Sequence, residues 1–160
     1  MTTLANSTTA TTADRRPIDV RGPRFGAAVT TVVLALTLLT IPTTLSVILL
    51  ALQTAAFALG SLVGLQAQPY GVFFRRVVRP RLAPPTEFED PAPPRFAQTV
   101  GLGFAVVGLL GLVTGVTVVA YVAVAFDLGA AFLNAAFNFC LGCEMYLLGK
   151  RLFGARATAA

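Results

Sequence analysis

The sequence predicts an all-α membrane protein, four transmembrane helices arranged as two duplicated helical hairpins, and three observations carry that reading. The first is composition. Of 160 residues 56% are hydrophobic and only 12% charged, with a mean hydropathy of +0.77, whereas a soluble domain carries about 25% charged residues. The second is charge placement. All twelve basic residues fall within Arg15–Arg24, Arg75–Arg95 and Lys150–Arg156, which leaves two stretches of about 50 residues without Lys or Arg, the positive-inside pattern of a multi-pass chain. The third is a short internal repeat. Pro23-Arg24-Phe25 returns 71 residues later as Pro94-Arg95-Phe96, and Tyr70 with Arg75 returns as Tyr146 with Arg151 at the same spacing.

The same facts exclude several function classes. A pI near 10.0 would suit a nucleic-acid binder, but basic residues gathered at the ends of apolar runs point to a lipid bilayer and to no nucleic acid. The chain has no His, so the usual general base and the commonest metal ligand are both missing. No cofactor and no metal site is indicated.

Residues 1–20, rich in Thr and Ala, read as a disordered tail. Arg15-Arg16-Pro17 resembles a twin-arginine signal only superficially, and no small-residue cleavage site follows the first apolar run, so that run is expected to stay as a helix. The first hairpin covers 21–79. Its first run, Phe25 to Thr40, is short against the ~20 residues a span needs, and reaches across only if Arg24 lies among the headgroups. Ile41-Pro42-Thr43-Thr44 reads as a turn, and the second run extends from Leu45 to Leu65. There Ala56, Gly60 and Gly64 repeat at four-residue spacing, which lets helix backbones approach closely.

Residues 80–94 hold six of the ten prolines, with Glu87, Glu89 and Asp90 among them, and read as a stiff, water-exposed linker. The second hairpin, 95–153, is apolar from Phe96 to Leu148, with Gly101, Gly108, Gly111 and Gly115 along one helical face. Its turn falls either at Thr114-Gly115 or at Asp127-Leu128-Gly129. The reading favours the later site, with Asp127 capping the last helix, because an ionised Asp in mid-membrane is costly and functional by default. A tail, 154–160, closes the chain. The charge pattern then puts both termini and the linker in the cytoplasm, in a multi-pass protein of the inner (cytoplasmic) membrane.

Chemistry concentrates in one place. Cys140 and Cys143 are the only cysteines and stand in C-x-x-C spacing, which makes them the candidate catalytic residues. In an unbroken helix their Cβ atoms would lie about 5–6 Å apart, and a disulfide needs about 3.5–4.5 Å. Oxidation therefore requires a looser backbone, which Gly142 permits. A helix C-terminus and Glu144 would both disfavour a thiolate, whereas a helix restarting toward Phe153 would put Cys143 at an N-terminus and activate it. The expectation is a break within Leu141–Glu144, with Cys143 the more exposed, attacking thiol and Cys140 the resolving one. The plainer reading is that both cysteines only pack. Asn134 and Asn138, one turn apart, either line a polar path to the thiols or, the preferred reading, hydrogen-bond between helices. A metal site would need a homodimer to complete its ligands, and a homodimer is left open.

Arg21-Gly22-Pro23-Arg24-Phe25, Arg79-Pro80-Arg81, Glu89-Asp90-Pro91, Pro94-Arg95-Phe96-Ala97-Gln98, Gly101 and Phe139-Cys140-Leu141-Gly142-Cys143 with Tyr146 together resemble a bacterial, largely actinobacterial membrane family. That family is catalogued as domain of unknown function 4395, and the resemblance covers roughly residues 18–152. The ending also looks like the two-helix membrane domain joined to some rhodaneses, where Cys140 has a counterpart and Cys143 has none. What the resemblance implies is sulfur or thiol chemistry: thiol–disulfide or persulfide exchange through Cys140 and Cys143 at the cytoplasmic membrane edge, with a thioredoxin-like or sulfurtransferase partner. The reading from a different class is a non-catalytic membrane component or small-solute transporter whose cysteines are structural. Whether the chain is an enzyme is left open.

Overall fold

Long uncharged runs can bury their backbone polar groups in lipid only by closing every hydrogen bond within a helix. In the computed structural model, which describes residues 17–157, they do so. A two-residue strand, β1 (Ile18–Asp19), precedes α1 (Arg21–Thr40) and α2 (Thr44–Ala58), the latter continued by a π-helical turn over Leu59–Val63. A short helix, α3 (Pro69–Phe73), runs on through tighter and wider turns to Arg81. β2 (Phe88–Glu89) pairs antiparallel with β1. The second half holds α4 (Ala92–Val113), α5 (Thr117–Phe137) and α6 (Leu141–Ala157). Of the expected tails, residues 1–16 and 158–160 lie outside the described residues.

Four helices, α1, α2 with its π turn, α4 and α5, are 20, 20, 22 and 21 residues long with mean hydropathies of 1.5 to 2.0. At 1.5 Å per residue each reaches about 30 Å, the thickness of a bilayer's hydrocarbon. Their surfaces agree. Leu39, Leu62, Val113 and Val118 are each at least 70% exposed, a pattern that water would penalise and lipid does not. The protein is an all-α membrane protein.

The helix of the first span starts at Arg21, four residues before its apolar run, so Arg21 and Arg24 stand in its opening turn. Asp19 fixes that start. Its carboxylate accepts from the Arg21 backbone N–H at 3.0 Å and pairs with the Arg21 guanidinium at 2.9 Å, which holds the carboxyl below its ordinary range. Pro23-Arg24-Phe25 and Pro94-Arg95-Phe96 both fall in the opening turns of the helices that begin the two hairpins. The last of the linker prolines therefore belong to α4, whose first turn tolerates them.

Within the bundle, α1 packs on α2 and α5, and α4 packs on α2 and α5. All four spans contribute to the core: Leu34, Leu50, Phe57, Ala105 and Val124. Polar ties cross it. The fully buried Gln53 donates to the Thr30 hydroxyl at 3.2 Å and accepts from the Tyr70 hydroxyl at 2.8 Å, the interhelical bonding that substitutes for hydrophobic drive inside lipid. At the far end of the bundle the Tyr121 hydroxyl donates to the Ile41 carbonyl at 3.1 Å, beside the turn between α1 and α2.

Two expectations are corrected. The turn of the second hairpin lies at Thr114–Val116, not at Asp127. Gly115 takes φ +79 there, which an L side chain resists, while Asp127 sits in the middle of α5. The small-residue faces also divide by role. Gly108 and Gly111 meet neighbouring helices, as do Gly60 and Gly101, but Gly64 and Gly115 serve positive-φ turns. Among these four, Gly111 is the tightest against backbone, since an added Cβ would stand 2.8 Å from the Ala120 nitrogen. Gly111→Ala should therefore lose about 1–3 kcal/mol of stability through overpacking, read as a lower melting temperature in detergent. An unchanged melting temperature would contradict this packing.

Candidate functional site

The cysteine pair lies where the fourth span stops. Asn138, a residue that tolerates left-handed backbone, takes φ 55, and its N–H returns to the Asn134 carbonyl at 3.1 Å to close α5. The chain restarts as α6 at Leu141. The break thus spans Asn138–Cys140, just upstream of the Leu141–Glu144 interval expected from Gly142. The fourth span ends at Phe137, and the apolar residues that follow belong to a separate helix.

That restart decides the electrostatics of the pair. The Cys140 carbonyl accepts the Glu144 N–H at 3.0 Å, which makes Cys140 the N-cap of α6. Its Sγ accepts the Cys143 backbone N–H at 3.3 Å, taking the place of a capping hydroxyl or carboxylate. Cys143 follows in the first turn. The Cα atoms are 5.2 Å apart and the sulfurs lie at disulfide distance, within the separation a disulfide accepts. Both residues are half-buried. Glu144, expected to oppose a thiolate at a helix C-terminus, instead occupies the first turn of α6, where a negative charge complements the helix dipole.

Gly142 has a different task from the one its flexibility suggests. It is buried against α4, and an added Cβ would lie 2.6 Å from both Cα and Cβ of Ala97. One turn on, Tyr146 packs its ring 5.8 Å from that of Phe96. These two contacts dock α6 on the opening turns of α4 and hold the cysteines at the bundle's edge. The end of α5 is tied from the other side: the Arg24 Nε donates to the Ala135 carbonyl at 3.1 Å.

Beneath the pair is a cavity of about 570 Å³, lined among others by Asn134, Asn138, Glu89, Glu144 and Asp127. The two asparagines therefore face the space leading to the thiols. Glu89, half-buried in the β1–β2 pairing, has its carboxyl pushed up by burial. Asp127 is the residue that sequence reasoning misplaced. Only 4% exposed, it has a side-chain oxygen, Oδ2, without a hydrogen-bond partner. The available signal was its charge within an otherwise uncharged run. Among the described residues no three His, Cys, Asp or Glu side chains cluster as a metal site would require.

A family model described as "Domain of unknown function (DUF4395)" matches residues 18–151. No curated protein and no solved structure matches the chain.

The docking of α6 is testable through its glycine. Gly142→Ala should cost about 1–3 kcal/mol by clash with Ala97 and free the N-terminus of α6. In the reduced protein a water-soluble maleimide should then alkylate Cys140 and Cys143 faster than in the wild type. Unchanged stability with unchanged alkylation rates would show that Gly142 is not a close-approach residue.

Proposed function

We propose that this chain, which belongs to the family described as domain of unknown function DUF4395, is a membrane-bound thiol–disulfide exchange protein working through Cys140 and Cys143. The observation that carries the reading is the position of the pair on α6. Cys140 caps the helix and Cys143 sits one turn inside, and helix N-termini favour the thiolate, the form of cysteine that attacks. Cys140 is then the attacking sulfur and Cys143 the resolving one, the reverse of the order expected for a break at Gly142.

The reaction balances without a cofactor. The Cys140 thiolate attacks one sulfur of a partner disulfide, and the partner's other sulfur leaves as a thiolate. Cys143 then attacks Cys140 Sγ, the mixed disulfide breaks, and the partner departs as a dithiol while this chain keeps the disulfide. The same steps run backward when the partner is the stronger reductant. With a persulfide donor, the Cys140 thiolate takes the outer sulfur and the donor leaves as a thiolate; Cys143 then attacks Cys140 Sγ, hydrosulfide leaves, and the pair is oxidised to the disulfide. The partner class in the two cases is a thioredoxin-like or a sulfurtransferase protein.

Charge placement supports a cytoplasmic side for the pair. The three basic segments flank the spans at the end of the bundle that carries β1–β2 and α6, and basic segments stay in the cytoplasm. Both termini and the linker belong there, in the inner membrane. Disulfides in such a compartment are transient and catalytic rather than structural, which agrees with a working pair.

Two outcomes follow. Cys143→Ser should trap a partner on Cys140 as a covalent adduct that dithiothreitol releases, and Cys140→Ser should trap none. No adduct from Cys143→Ser, or equal adducts from both, would contradict the assignment. For topology, in a Cys140→Ser/Cys143→Ser background, an impermeant maleimide applied to intact cells should label Pro42→Cys and leave Phe88→Cys unlabelled. Labelling at position 88 would invert the orientation.

A further inference from the structure

The cavity beneath the cysteines carries a charge bias opposite to that of the chain. The chain has net charge +5, yet four of its seven acidic residues line this space, Glu89, Asp90, Asp127 and Glu144, against one of twelve basic residues, Arg24. Arg24 is turned to the Ala135 carbonyl. The carboxyls are also spread along the cavity. Asp90 and Glu144 are exposed at the membrane edge, whereas Asp127 is buried halfway along α5. From Asp127 to the end of α5 at Asn138 is eleven residues, or about 16 Å of helix at 1.5 Å each. The wall is largely apolar, with Phe57 along it and Phe104 at the depth of Asp127, stacked on Phe126.

A buried carboxyl oxygen without a partner is costly, and Asp127 Oδ2 has none. What would relieve it is a ligand that brings N–H donors and positive charge to the depth of α5. Such a ligand must also have an apolar stem to lie against the phenylalanines and a second cationic end to meet Glu144, Asp90 and Glu89. We infer that the cavity binds a linear diamine or polyamine, with one ammonium group on Asp127 and the other among the carboxyls at the membrane edge. The cavity's 570 Å³ falls within the 300–1,000 Å³ or so typical of small-molecule sites. Exposed carboxyls at the entrance steer cations inward. The inference does not depend on thiol exchange, because no sulfur takes part in binding.

The test uses the full chain in nanodiscs of zwitterionic lipid, with 1,10-diaminodecane as probe and decanedioate as its anionic counterpart of the same chain length. Binding is read as a shift in melting temperature and by titration calorimetry. The diamine should stabilise the wild type, 1,4-diaminobutane should do so more weakly because it cannot reach both ends, and decanedioate should not. Asp127→Asn should weaken diamine affinity about tenfold or more, as loss of a close charge pair does, and Asp127→Glu should retain most of it. Glu144→Gln, at an exposed position, should weaken it by a smaller factor. The inference is overturned if no diamine binds, if the diacid stabilises equally, or if Asp127→Asn and Glu144→Gln both leave affinity unchanged. The Cys140→Ser/Cys143→Ser variant should bind the diamine like the wild type, so failure of the thiol reading and failure of this one are separately visible.

Discussion

Helix ends are the vulnerable points of a membrane bundle, because the last carbonyls have no partner within the helix and lipid offers none. Here the two copies of Pro-Arg-Phe answer that constraint for each other. Arg24, at the start of the first hairpin, donates to the Ala135 carbonyl at the end of the second. Arg95, at the start of the second, donates through Nε to the Ser61 carbonyl at 2.8 Å and through a terminal nitrogen to the Leu62 carbonyl at 3.0 Å. Each guanidinium also sits where the helix dipole favours a cation. The two hairpins are thus locked by a reciprocal exchange of caps, which matches the packing of α1 on α5 and of α2 on α4.

The cap makes the site achievable. With its last carbonyls tied down, each second span can stop abruptly and the chain can change direction at the membrane edge. In the first copy the stop is Gly64, at φ 126, and the next helix, α3, brings Phe73 and Phe74 onto Phe25. In the second copy the stop is Asn138, and the next helix, α6, brings Tyr146 onto Phe96. The scaffold repeats and the cysteines do not: only the second stop carries them. A duplicated frame with one specialised edge is what the pair needs, since its N-cap geometry depends on α6 beginning immediately after α5 ends.

The parts of this arrangement that depend on composition and on short-range signals were legible in the sequence. Hydropathy and the Lys/Arg-free stretches identified four spans, Ile41-Pro42-Thr43-Thr44 marked the first turn, and the repeated Pro-Arg-Phe marked the starts of both hairpins. What was not legible depended on contacts between distant residues. Thr114-Gly115 was one of two candidate turns, and the charge of Asp127 drew the preference to the other, because a three-residue turn leaves little trace between apolar runs. Gly142 read as a hinge because its contact, Ala97, lies 45 residues away in the chain and on another helix. Gln53 was passed over within an apolar run, although it ties Thr30 to Tyr70 across the core. The cysteines themselves were found, but the proposed order of attack turns on where one helix ends, and that is set by the left-handed Asn138.

Thiol exchange requires the pair to cycle between dithiol and disulfide. Its redox state in living cells can be read directly by quenching in acid, alkylating free thiols with a mass-adding maleimide, and comparing samples with and without prior reduction. A cycling pair gives two populations, one carrying both labels and one carrying neither, with the balance moving toward the unlabelled form under diamide and back under dithiothreitol. A single, fully labelled population that neither treatment moves would mean the cysteines only pack, and the exchange reading would fail.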